Sequence, residues 1–227
     1  MTKALDFPAL SALHGRHDQF AQVEGAARRY DPAYGVFAAI ESAWPSALAD
    51  LGKLIARYGD VALLEADPPR QGPGFTLHSE DLGVQMVAET LSGFDEPPFD
   101  IVQLGKADHD DMLALAALTQ PGPFFSRTPL LGDFFGVKAD GMLVAMAGER
   151  MKPEGATEVS GVCTHPQWRG KGYAGALMRK VAQRILDRGE IAFLHAYASN
   201  HGAIALYESL GFTIRRTVSM VRLTGAI

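Results

Sequence analysis

One cysteine, Cys163, stands alone in a chain of 227 residues. No disulfide can form within the chain, and this usage fits a reducing compartment such as the cytoplasm. Long apolar runs are also missing. None approaches the roughly 18–20 residues that a membrane-spanning helix needs. The opening residues, MTKALDFPALSALHGRHDQF, hold no continuous apolar stretch of the kind that marks a secretory signal. Positive charge is in short supply: 21 Lys+Arg against 26 Asp+Glu leave a net charge of −5, which argues against a general nucleic-acid binder. His14, His17 and His78 make no metal-ligand spacing with a nearby Cys or His pair, so no metal is expected. No internal repeat or low-complexity tract stands out. What is present is an ordinary globular composition, 47% apolar and 21% charged, enough for one large domain or two small ones.

The charge is unevenly spread. Residues 1–97 carry 7 Lys+Arg and 14 Asp+Glu, whereas residues 98–227 carry 14 and 12. Glu96-Pro97-Pro98 separates the two parts, because proline fixes φ and disfavours the continuation of an element. Two units are therefore expected, 1–97 and 98–227. In the first, 8–29 reads as helix, interrupted by Gly15 and Gly25. Residues 34–40 read as a short strand and 46–58 as a helix stopped by Gly59. Residues 60–66 read as a buried strand, and strand-like pieces fall within 75–91. In the second unit, 100–104 reads as a strand. A helix follows from Asp108 to about Thr119, with Asp110 and Asp111 at its positive end. Phe134–Lys138 and Met142–Met151 form a hairpin around Asp140-Gly141. A strand over 157–164, a helix over 172–188, a strand over 191–197, a helix from Asn200 to Leu210 and a last strand over 213–223 complete the chain.

The most informative stretch is 157–175, TEVSGVCTHPQWRGKGYAG. It reads as a strand, a basic glycine-rich turn and the start of a helix. That order leaves main-chain N–H groups and positive charge where the strand ends, a place suited to phosphate. Gly170, Gly172 and Gly175 satisfy G-x-G-x-x-G, so a dinucleotide turn has to be weighed. Its context is missing. His165-Pro166-Gln167-Trp168 separates strand from turn, hairpins rather than a βα unit precede it, and about 20 residues on there are Asp187 and Glu190 at a helix end rather than an acid closing a strand.

The pattern Arg169-x-x-Gly172-x-Ala174 after a strand and a Thr164-His165-Pro166 break, followed later by Asn200–Phe212 (NHGAIALYESLGF), resembles the acyl-CoA-binding region of the GNAT N-acyltransferase superfamily. The resemblance covers roughly 98–227. Within the superfamily it looks most like the glycine N-acyltransferase-like branch, in which an N-terminal α/β half precedes the CoA-binding half. It implies an α/β protein of the α+β type. A mixed, mostly antiparallel sheet with splayed central strands would be flanked by helices, with a small N-terminal α/β subdomain. It implies an acyl-CoA-dependent N-acyltransferase, most simply with acetyl-CoA as donor and a small-molecule or peptide amine as acceptor, and with no nucleic acid or membrane involved. A homodimer is one expectation for the assembly. A non-catalytic acyl-CoA-binding module is the alternative.

Residue by residue, the resemblance implicates Val162, Cys163 and Thr164, through their main chain, with the pantetheine arm. Arg169, Gly170, Lys171, Gly172, Tyr173 and Ala174 fall to the pyrophosphate, and Asn200 both to the donor and to capping its helix. Arg179 and Lys180 lie about two turns on and are read as facing water rather than the ribose phosphate. Tyr207 matches the general-acid tyrosine that protonates the departing thiolate. Glu158 lies where several members carry a glutamate base, with an exposed strand-end carboxylate as the other reading. Glu149 is the second candidate. Cys163 has no motif-placed histidine and reads as a small strand residue rather than a nucleophile. His195 lines the acceptor side or is a bonded core histidine. Residues 105–133 are expected to shape the acceptor pocket, through Phe124, Phe125, Ser126 and Arg127, the last as a clamp for an acceptor carboxylate.

Overall fold

A computed structural model of the protein describes residues 2–93 and 96–226. Two short helices open the chain, α1 (Thr2–Asp6) and α2 (Pro8–His14). They are followed by β1 (Ala21–Glu24), β2 (Ala27–Tyr30) and β3 (Ala38–Ile40), which pair antiparallel in a small sheet in that order. The single helix expected over 8–29 is thus wrong. Its apolar spacing was real only as far as His14, and Gly25, at φ +49°, turns the chain into a β1–β2 hairpin. The remaining elements are α3 (Pro45–Tyr58), β4 (Val61–Glu65), β5 (Gln71–Gly72), β6 (Phe75–Ala88), β7 (Val102–Leu104), α4 (His109–Thr119), β8 (Phe134–Ala139), β9 (Met142–Glu149), β10 (Ala156–Thr164), α5 (Tyr173–Asp187), β11 (Ile191–Tyr197), α6 (His201–Ser209) and β12 (Thr213–Gly225).

The large sheet runs β4-β12-β6-β11-β10-β9-β8-β7, with β5 hairpinned onto β6. Its pairings are antiparallel except β10 with β11. The sheet does not stop at Pro97-Pro98. Strand β6 lies between β11 and β12, and β4 forms the edge beyond β12, so residues 1–97 supply strands to the same sheet as 98–227.

Alternation along β11 sorts the two faces. Ala192, Leu194 and Ala196 face a core that contains Leu177, Met178 and Val181 of α5 and Phe212. Phe193 faces the opposite core, built on Leu5, Ala9, Ala12 and Leu13 of α1 and α2 together with Phe37 and Leu64. Helix α3 packs Leu51, Leu54 and Ile55 on Val61, Leu63, Val221 and Leu223.

Strands β10 and β11 pair only through Ala156↔Ile191, Thr157↔Ala192 and Glu158↔Phe193. Beyond that level they part. Strand β10 stays paired to β9, with an irregularity between Ser160 and Cys163, where Gly161 sits at φ +64°. Only glycine adopts that conformation without strain, and a bulge bends its strand. Local backbone chemistry therefore helps β10 swing away from β11.

Candidate active site

The parting of β10 and β11 opens a cleft of about 1020 Å³. Its lining comes from both faces of the sheet. Met178, Leu194, Ala196, Asn200 and Tyr207 line it on the α5 and α6 side, and Phe37, Leu64, Asp81, Arg150 and Met220 on the α1 and α2 side. The cleft thus passes through the sheet. From Val159 onward β10 has a paired neighbour on one side only, so half of its main-chain N–H and C=O groups are turned toward the cleft. Ser160, Gly161 and Val162 line it there. The sequence signal for this opening was Gly161, an isolated glycine in a strand pattern, which received no role in the sequence reading.

At the end of β10 the chain passes through Pro166–Trp168 into the glycine-rich turn. Gly170 and Gly172 have φ of +78° and +79°, the left-handed region that glycine enters freely. A side chain at either would point into open space. The backbone is thereby left bare on the ligand-facing side. Gly172 is the N-cap of the 15-residue α5, whose first-turn N–H groups have no intrahelical acceptor and carry the positive end of the helix dipole. Lys171 Nζ lies 4.4 Å from the centre of the Trp168 ring, and Arg169 Nε donates to Thr164 O at 3.4 Å.

A second depression adjoins the turn, lined by Lys171, Gly172, Gly175, Arg179, Lys180 and the segment Glu96–Ile101. Arg179 also donates to the Ser92 carbonyl. Arg179 and Lys180 both border the same hollow as the turn, with Lys180 exposed to water as its sequence reading has it. The signal for it was their place on α5 two turns beyond the glycines.

Tyr207 lies on α6, and its hydroxyl makes no hydrogen bond among the described residues. Burial raises its pKa above the ordinary phenol value, so it keeps its proton at neutral pH. Asn200 caps α6, its Oδ1 accepting from Ala203 N at 3.2 Å, and it borders the cleft as well.

Glu158 has quite different surroundings. It is fully buried, does not line the cleft, and lies on the opposite face of the sheet from Tyr207. Arg150 clamps it with Nε to Oε2 and Nη2 to Oε1, both at 2.8 Å, and His195 Nδ1 lies 2.7 Å from Oε1. Burial pushes its pKa up, but the Arg150 charge and hydrogen bonds and the His195 contact overcome this and hold the carboxyl down at about 2. A carboxylate so stabilised is a poor proton acceptor.

The network continues. Gln85 Nε2 lies 3.2 Å from His195 Nε2 and donates to Leu5 O at 2.8 Å, while Arg215 donates to Gln85 Oε1 at 2.8 Å and to Asp6 at 2.6 Å. His195 thus has a partner at each ring nitrogen, Glu158 at Nδ1 and Gln85 at Nε2. Its two sequence readings meet in one residue, a bonded histidine that also borders the cleft. The Arg150 guanidinium lies 4.4 Å from the centre of the Phe37 ring. Burial of Arg150 against an acid eight residues on ties the whole group together.

Glu149 is also engaged, 2.7 Å from Lys152 and 2.8 Å from Arg188. Burial raises its pKa, and these two cations bring it below the ordinary carboxylate value. Cys163 packs with Met112 and Leu115 of α4, and burial pushes its thiol up to about 11. That is the strand role expected of it and no nucleophile. Neither Cys163 nor Thr164 lines the cleft, and Tyr173 is buried with its ring edge-on to Phe99 at 4.6 Å. Of the irregular segment before β8, Phe124 and Phe125 line the cleft. Arg127 does not. It lies 5.8 Å from the centre of the Tyr34 ring and binds Ala33 O through its own N–H, so it is in no position to clamp an acceptor carboxylate.

Residues 135–221 match a family model described as FR47-like protein. No curated protein sequence matches the chain. Among solved structures, a protein of Novosphingobium aromaticivorans assigned to the GNAT family as an acetyltransferase is 44% identical. The match covers 98% of this chain and 99% of that one, with a TM-score of 0.90. A GCN5-related N-acetyltransferase from Kribbella flavida shares the fold at 19% identity and TM-score 0.62, covering 96% and 94% of the two chains. A GCN5-related N-acetyltransferase-like protein from Streptococcus suis does so at 16% and 0.62, covering 99% and 97%. With mostly antiparallel strands that part around a cleft, a bare glycine turn at the head of α5 and a 44% identical relative along nearly its whole length, the chain belongs to the GNAT family of N-acetyltransferases.

Proposed function

We propose that the protein transfers an acetyl group from acetyl-CoA to a primary amine by direct attack. The carrying observation is that the cleft opens along β10 and the glycine turn follows at the end of that same strand, at the head of α5. In this reading the pyrophosphate rests on the N–H groups of residues 170–174 and the hollow bordered by Arg179 and Lys180 receives the rest of the nucleotide. The pantetheine lies along the free edge of β10 at Val162.

The amine nitrogen attacks the thioester carbon. A C–N bond forms, the C–S bond breaks, the nitrogen loses a proton to water, and Tyr207 protonates the thiolate. No side chain here is assigned as base, since Glu158, Glu149 and His195 are all engaged, so the acceptor reacts as the neutral amine. A cytoplasmic location agrees with the lone cysteine.

A second reading, a non-catalytic acyl-CoA-binding module, draws support from the same locked Glu158. Release of free CoA thiol across a panel of amines separates the two. Turnover with an amine supports the enzyme. Tight CoA binding with no turnover on any amine supports the module.

A further inference from the structure

The far wall of the cleft comes from residues 1–97 together with β12, and nothing in the motifs foretold their contribution. Phe37, Leu64 and Met220 give that wall an apolar surface, continued by Phe124. At its outer end stands Asp81, with Ser79 and Arg222 beside it. The charges are unequal in what they leave free. Arg150 is neutralised by Glu158 at 2.8 Å, and Arg222 is held 3.3 Å from Asp60. Asp81 is exposed to the cleft mouth and enters no ion pair among the described residues.

The register sets a distance. Val84 pairs with Ala196, which lines the cleft as Tyr207 does. Asp81 lies three residues further along β6. At about 3.3 Å per residue this places it on the order of 10 Å along the strand from the level of Ala196.

We infer that the acceptor is a primary amine with an extended apolar body and a second, cationic group at its far end, which docks on Asp81. This rests on the acyl-transfer reading above. The apolar wall disfavours a polar body, and the unpaired carboxylate disfavours an anionic end.

Three acceptors of one length test it with acetyl-CoA: 1,8-diaminooctane, octylamine and 8-aminooctanoate. CoA-induced thermal stabilisation is recorded alongside for every protein. The diamine is expected to exceed octylamine in kcat/KM by about fivefold, the upper end for an ion pair open to water, and 8-aminooctanoate to rank last. Asp81→Asn brings the diamine-to-octylamine ratio to about one, and Asp81→Lys puts 8-aminooctanoate ahead of the diamine. A wild-type ratio near one, or a ratio that Asp81→Asn leaves unaltered, overturns the inference. CoA stabilisation with no turnover of any of the three also overturns it, while leaving the donor site standing. Absence of any CoA effect removes the acyl-transfer reading itself.

Discussion

Three side chains, one at the cleft and two buried away from it, call for different outcomes on substitution. Tyr207 is a half-buried phenol at the cleft whose hydroxyl has no hydrogen-bond partner among the described residues, so Tyr207→Phe is expected to lower kcat by roughly a hundredfold, within the range for lost general-acid catalysis, with CoA affinity little altered in a calorimetric titration. Equal turnover in the two proteins returns the ring to a packing role. Glu158 is locked by Arg150 and His195, so Glu158→Gln acts on stability. Its folded pKa of about 2 lies below the ordinary value of 4.5, so its contribution is present above that value and is lost as pH falls toward 2. Removing one partner of a buried ion pair costs about 3 kcal/mol or more. Denaturant unfolding at pH 7 is expected to show that loss and unfolding at pH 2 far less of it, whereas a true catalytic base would slow turnover without moving stability. Glu65 runs the other way. Burial alone raises its pKa to about 7, so its ionisation opposes folding as pH rises from about 4.5 through 7. Glu65→Gln is therefore expected to stabilise the protein at pH 8 by on the order of 3 kcal/mol and to make little difference at pH 5, as read from denaturant midpoints.

A short stretch of chain announces only those elements whose signals lie within it. The unit β10–turn–α5 was legible because its signals are local: Pro166 breaks the strand, Gly170 and Gly172 demand left-handed backbone, and the apolar stripe of α5 runs from Leu177 to Ile185. Asn200 as N-cap of α6 was legible for the same reason. The hairpin of β1 and β2 was not. Its strands are four residues each, too short for alternation to show against a helical spacing carried over from α2. Nor could the sequence tell that Glu158 is neutralised. Its partners Arg150 and His195 come from the β9–β10 connection and from β11, and only the pairing of strands brings them within 3 Å. The wall built by Phe37, Leu64 and Asp81 was hidden for the same reason, since it needs β4 and β6 in the sheet. Arg127 failed as a clamp because a loop residue's direction is set by what the loop packs on, here Tyr34.

The whole molecule is built on one large sheet shared by both parts of the chain, with β6 held between β11 and β12 and the network from Asp6 through Arg215, Gln85 and His195 to Glu158 crossing from α1 to β10. Residues 98–227 expressed alone would leave β12 without either neighbour, so that fragment is expected to show no cooperative unfolding transition by circular dichroism; a sharp transition near that of the full chain would contradict the shared sheet. The donor site is the claim on which the rest depends. It is tested most directly by titrating CoA calorimetrically into the full chain and into its Gly172→Asp variant. Aspartate tolerates the left-handed conformation better than most residues, so the fold is expected to survive while a carboxylate is placed where the pyrophosphate belongs. The account predicts binding to the full chain and none to the variant, at closely similar unfolding temperatures without ligand. Equal affinity in both proteins, or no binding to the unaltered chain, would contradict it.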